Sequence, residues 1–169
     1  MAVILGIDPG LAATGWGLID ARGNSLRYLG HGVVRTDASW TPGRRLLRIH
    51  TELEEICTAA RPVAAAIESL YFAKNITSAI PVAQARGVVM LLLEQQGIPA
   101  EEYPPQAIKQ TLVGHGRAEK EQVQELVRLL LGLQEIPKPD HAADALAAAI
   151  THHHSGQGRS IILGEEETK

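Results

Sequence analysis

The stretch Ala2-Val3-Ile4-Leu5-Gly6-Ile7-Asp8-Pro9-Gly10 decides the fold. An unbroken apolar run meets a carboxylate and is stopped by Pro-Gly. A short apolar run bounded by turn residues reads as a strand buried on both faces, the kind found inside parallel or mixed sheets. The pattern recurs at Val63–Glu68, where a second apolar run closes on an acid. Between the two lie β-rich segments, Thr14–Asp20 and Leu26–Thr36. The residues joining them, Ala21-Arg22-Gly23-Asn24-Ser25, have the length and the Gly and Asn of a hairpin. The first three strands are therefore expected to form an antiparallel meander.

From Pro42 the period changes. Leu46, Ile49, Leu53, Ile56, Cys57 and Ala60 fall at helical spacing, with Thr41 as N-cap and Pro42 at the first helical position. Beyond Val63–Glu68, Asn75–Gln96 reads as a long helix that Pro81 would kink, and Ile98–Tyr103 as a fifth strand. Helices follow at Gln106–Val113, at Ala118–Leu131 (stripe Val123, Leu126, Val127, Leu130) and at Asp140–His153. An antiparallel meander followed by alternating strands and helices implies an α/β fold. Its sheet is five-stranded and mixed, with two strands parallel to the first and helices on both faces. Residues 1–154 are expected to form this one domain and residues 155–169 a loose C-terminal tail.

Composition narrows the class. A chain of 169 residues with 45% apolar and 21% charged residues is the size of one ordinary domain and too apolar for a disordered one. One cysteine, Cys57, excludes a disulfide scaffold and a cysteine-based zinc site. No apolar run approaches the roughly 20 residues of a membrane span, and no basic segment precedes the first strand. The expected compartment is the cytoplasm. A formal net charge of −3 argues against a bulk nucleic-acid coat, but a one-sided basic patch is compatible with it.

Two strands that each end on an acid, Asp8 and Glu68, bring their carboxylates to one edge of the sheet if the strands are neighbours. Ligands of open α/β sheets bind at that edge. In Pro139-Asp140-His141-Ala142-Ala143-Asp144, His141 and Asp144 are three apart and share a helical face. Asp140 suits an N-cap. The alanines after Asp144 let the helix lie close to the sheet, where an unpaired acid is costly to bury. Three carboxylates and an imidazole are a donor set for Mg²⁺ or Mn²⁺, and two such ions about 3.5–4 Å apart can drive phosphodiester hydrolysis. Each acid taken singly is also explained by capping a turn.

Several motifs stand together in order. They are Ile7-Asp8-Pro9-Gly10 with Thr14-Gly15-Trp16-Gly17, Ala66-Ile67-Glu68, Gln84-Ala85-Arg86-Gly87, Lys109-Gln110-Thr111-Leu112-Val113-Gly114 with Ala118-Glu119-Lys120, and His141-Ala142-Ala143-Asp144-Ala145-Leu146-Ala147. In this order and spacing the chain resembles the RuvC family of Holliday-junction resolvases from about Val3 to His153. The resemblance implies an RNase H-like fold and paired symmetric nicks in a four-way DNA junction. Water would be the nucleophile, and the ends 5′-phosphate and 3′-hydroxyl, in recombination and repair. Asp8, Glu68 and Asp144 match the family's metal-binding acids. His141 stands where many members carry a further aspartate, and its softer nitrogen leads us to expect Mn²⁺ to be preferred over Mg²⁺; proton transfer is its other possible role. Lys109 and Lys120 match lysines of the catalytic centre or DNA contact. Tyr71 is expected to stack on an unpaired base, and Phe72 to pack inward. Lys74, Arg86 and Arg117 are further expected DNA contacts. The resemblance also implies a homodimer, which we expect to use Val82, Val89, Met90 and Leu93, and cooperation with the RuvA–RuvB branch-migration complex. Two other readings stay open on the residues alone. One is a non-catalytic junction-binding module; the other is a nucleotide-binding domain of the actin and sugar-kinase type, which shares the strand-Asp-x-Gly pattern.

Overall fold

A computed structural model describes residues 2–69 and 76–166, with side chains described for 2–69 and 79–156. Its sheet has the order β3-β2-β1-β4-β5. Strand β1 spans Ala2–Asp8, β2 Ala13–Arg22, β3 Ser25–Arg35, β4 Ala64–Glu68 and β5 Ala100–Tyr103. The first three form the antiparallel meander, with Gly23 at φ 55° in the tight β2–β3 turn; β4 and β5 run parallel to β1 and to each other. The mixed α/β sheet expected from the sequence is the one found.

Among the described residues five helices cover the two faces: α1 Pro42–Ala60, α2 Ile76–Gln95, α3 Pro105–Val113, α4 Lys120–Leu130 and α5 Asp140–Glu166. The bounds of α5 reach past the His153 expected from spacing. Helix α1 matches its sequence signature: the Thr41 hydroxyl accepts from the Arg44 N–H, and Ile49, Leu53 and Cys57 are buried. Pro81 lies inside α2, in its second turn. No helix among the described residues is long and apolar enough to cross a membrane.

Alternation along the strands sorts the core into two layers. Val3, Leu5 and Ile7 of β1 and Ile67 of β4 face α1 and α2, meeting Leu53, Val89 and Leu93. Ile4 and Ala66 point the other way, toward Ile108 of α3, Val127 of α4 and Leu146 and Ile150 of α5. Asp8 and Glu68 continue the second series, so both carboxylates emerge on the α5 face. The register fixes how close they come, since Ile7 stands opposite Ile67 across the parallel pair.

Helix α5 lies against β1 and β2 with little between the backbones. Gly6 and Gly17 are cross-strand partners, and Gly15 is the partner of Asp8. A methyl at Gly6 would strike the Ala145 carbonyl, and one at Gly15 the His141 carbonyl. Glycines on the sheet and alanines on the helix together set the approach. The first turn of α5, with His141 and Asp144, is thereby held over the end of β1.

Candidate active site

The carboxylates of Asp8, Glu68 and Asp144 offer oxygens that all lie within 4.8 Å of one another, and all three residues are partly buried. They come from the ends of two adjacent parallel strands and the first turn of the helix packed on them. Burial first, then the neighbouring charges of Asp8 and Asp144, push the Glu68 carboxyl up to about 8. Asp144 is also raised by burial, opposed by the Lys120 ammonium and reinforced by Asp8. Acids crowded until one keeps its proton near neutrality form a site short of positive charge, and a divalent cation fits that deficit and that all-oxygen donor set.

One basic side chain answers part of it. Lys120, at the first turn of α4, reaches Asp144 at 3.3 Å and Asp140 at 3.2 Å. Its burial disfavours the charged form, but Asp144 and Asp140 outweigh that and raise its pKa. Asp140 also accepts from Gln124 at 3.2 Å, so it ties the start of α5 to α4. The role foreseen for Asp140 was a cap; the ties across to α4 were not legible in the sequence.

His141 stands apart from the three-carboxylate group. Its Nδ1 is 2.7 Å from Asp8 Oδ2, and that hydrogen bond, with the charges of Asp8 and Asp144, raises its pKa above the ordinary histidine value against the cost of burial. Both roles expected of His141, metal ligand or proton carrier, start from this contact with Asp8.

A cleft of about 200 Å³ opens beside the carboxylates, lined by Glu68, Pro105, Ile108, Lys109, Lys120, Val123, Asp144 and Ala147. Both lysines singled out from the sequence thus border the same space as two of the acids. Arg117 is exposed in the connection between α3 and α4. Arg86 is elsewhere. It forms a two-pronged ion pair with Glu102, its Nε donating at 2.9 Å. Glu102 stands opposite Ile67 in the β4–β5 pair, so this ion pair occupies the α2 face, across the sheet from Asp8 and Glu68. Sequence spacing carried no information about which face Arg86 would take. Tyr71, Phe72 and Lys74 lie outside the described residues.

A five-stranded RNase H-like sheet with acids from its first and fourth strands and its last helix defines the resolvase class of nucleases. The fowlpox virus resolvase bound to Holliday junction DNA shares this fold at TM-score 0.60 and 12% identity, over 90% of this chain and 99% of that one. Residues 4–152 match the family model described as crossover junction endodeoxyribonuclease RuvC. The chain belongs to the RuvC family. It is 48% identical over its whole length to the Treponema pallidum crossover junction endodeoxyribonuclease RuvC, covering 86% of that protein. It is 53% identical to the Heliobacterium modesticaldum protein of the same name, over 90% of this chain and 94% of that one. The Thermus thermophilus RuvC structure in complex with a Holliday junction substrate superposes at TM-score 0.89 with 39% identity, over 93% of this chain and 96% of that one.

Proposed function

We propose that this protein is a structure-selective endonuclease that resolves four-way DNA junctions by paired, symmetric nicks. The observation that carries the reading is the cluster of Asp8, Glu68 and Asp144, with oxygens within 4.8 Å of one another, in a chain of this family. A module that only binds would gain nothing from an acid cluster that repels phosphate.

Asp8, Glu68 and Asp144 would hold Mg²⁺ or Mn²⁺, two ions per site, and such ions activate water and stabilise the leaving oxygen of a phosphodiester. The chain's own groups do the rest. Lys120 and Lys109 supply positive charge beside the acids, where charge grows on the phosphate as the bond breaks. Glu68 would ionise beside a bound cation, releasing its proton to solvent. His141 orients the Asp8 carboxylate, and the same contact favours its protonated form. As a ligand, its nitrogen would favour Mn²⁺ over Mg²⁺; equal or better turnover in Mg²⁺ across titrations of both ions would overturn that preference.

A four-way junction is nearly two-fold symmetric, so paired nicks call for two sites related by a dyad, and hence a homodimer. Of the residues foreseen for the interface on the long helix, Val89 and Leu93 turn inward and Met90 stays outward. Val89 and Leu93 are 0% and 1% exposed and belong to this chain's own core, whereas Ile80, Met90 and Leu91 are 56%, 41% and 55% exposed. We assign the dimer contact to that outward face of α2. Cooperation with the RuvA–RuvB complex rests on family membership alone. The test is incubation of the purified protein with a synthetic mobile four-way junction. Nicks at symmetric positions whose products a DNA ligase reseals support the reading, because resealing needs 5′-phosphate and 3′-hydroxyl ends. Binding without nicks in either ion, over a range of junction sequences, overturns it.

A further inference from the structure

We propose that Arg35 and the stacked Arg44–Trp40 pair form a second phosphate-binding surface, which grips a duplex arm of the junction at the end of the sheet that carries the carboxylate cluster. This rests on the junction-cleaving reading and extends it to residues the family motifs leave untouched.

The register places these groups. Asp8 pairs with Gly15 and Gly15 with Val33, so the three share the α5 face of the sheet. Arg35, two residues beyond Val33, is on that face at the very end of β3. Two strand spacings separate β3 from β1, about 10 Å, or roughly three base steps of a duplex. Arg35 is exposed, and its guanidinium has no partner among the described residues.

The connection 36–41 then leads to α1, which covers the opposite face of the sheet but whose first turn is tied to the end of β3 through Arg45 and Thr36. The Arg44 guanidinium lies 4.5 Å from the centre of the Trp40 ring. Stacking holds a guanidinium in one plane and leaves its edge N–H groups free, the geometry that binds phosphate oxygens in pairs. The scaffold under them is fixed. Thr36 donates its hydroxyl to the Leu11 carbonyl at 2.5 Å and its N–H to the Ala12 carbonyl at 3.1 Å. Arg45 donates to the Thr36 hydroxyl at 2.8 Å. The loop that follows Asp8 is thus tied to the edge that carries the arginines. Charge favours an anion: Arg35, Arg44 and Arg45 face one acid in the segment, Asp37, whose carboxylate accepts from the Ser39 N–H at 2.8 Å. No acid stands in the first turn of α1.

The test measures equilibrium binding of the full chain to a fluorescent four-way junction in chelator, from about 0.05 to 0.3 M salt. The Arg35→Gln/Arg44→Gln variant is expected to bind about tenfold more weakly and to lose about 2 from the log–log salt slope, as for two lost phosphate contacts. Its cleavage rate at saturating junction should equal that of the parent, and junctions with shortened arms should erase the difference in affinity. Arg27→Gln is the control, since it removes an exposed arginine from the opposite end of β3. An unchanged slope in the double variant overturns the proposal, and so does an equal loss in Arg27→Gln, which would report net charge alone. A parent protein with no salt-dependent junction affinity would sink the junction reading itself, a separate failure.

Discussion

Burial and two neighbouring carboxylates hold the Glu68 carboxyl at about 8, against an ordinary value of 4.5. The sign of the consequence follows from linkage. A carboxyl raised in the folded protein stabilises it fully below the unfolded value, and the contribution is lost as pH rises through the folded one. In chelator, Glu68→Gln should therefore be more thermostable than the parent, with a Tm gap that widens between about pH 5 and pH 8.5. At roughly 2–4 °C per kcal/mol for a domain of this size, the widening should be easily read by thermal denaturation. A gap that stays flat with pH would contradict it. Lys120 makes a second residue-level prediction. Its ammonium is the cation on Asp144, so Lys120→Met should lower the cleavage rate at saturating junction by about 10²-fold, the scale of losing one preorganised electrostatic contact. A loss confined to affinity would assign Lys120 to DNA binding alone. Asp8 and Glu68 were legible because a carboxylate closing an apolar strand is conspicuous in sequence, and Asp144 because it shares a helical face with His141 ahead of a run of alanines. The contacts that tune them were not. His141 and Asp8 are 133 positions apart, Lys120 and Asp144 are 24 apart, and nothing local announces either pair.

At the scale of elements, the site depends on how closely α5 approaches the sheet. Half of that device was legible, in the alanines after Asp144; the other half, Gly6, Gly15 and Gly17, only acquires meaning once the antiparallel register aligns it. Gly15→Ala would drive a methyl into the His141 carbonyl and lift the first turn of α5 from the end of β1. Overpacking of this kind costs about 1–3 kcal/mol. Tm should fall by several degrees, and cleavage by more than the loss of folded protein explains. Gly43→Ala, in α1 with open space around it, should lower neither. If both variants behave alike, the close approach does not position the site. Helix α1 was read from sequence to its ends because its apolar residues occupy one face. For helix α2 the bounds were legible but not the inward side, since apolar residues ring it and periodicity cannot choose between its faces. That is why Val89 and Leu93 were expected at an interface and are found in the core, and why the face of Arg86 was unreadable.

For the whole molecule, paired nicking depends on two sites acting on one junction. Met90→Glu/Leu91→Glu places charge on the exposed face of α2 without touching the core residues Val89 and Leu93. Sedimentation should show the variant as a monomer, and junctions should accumulate single nicks in place of paired ones. A variant that remains dimeric would move the interface off α2. The central claim, that the converging carboxylates cut the junction, is tested most directly by comparing the parent protein with Asp8→Asn on one mobile four-way junction, measuring binding in chelator and strand cleavage with Mn²⁺ or Mg²⁺. The account predicts equal binding, with symmetric nicks in the parent and none in the variant. Nicking by Asp8→Asn at the parent's rate would contradict it.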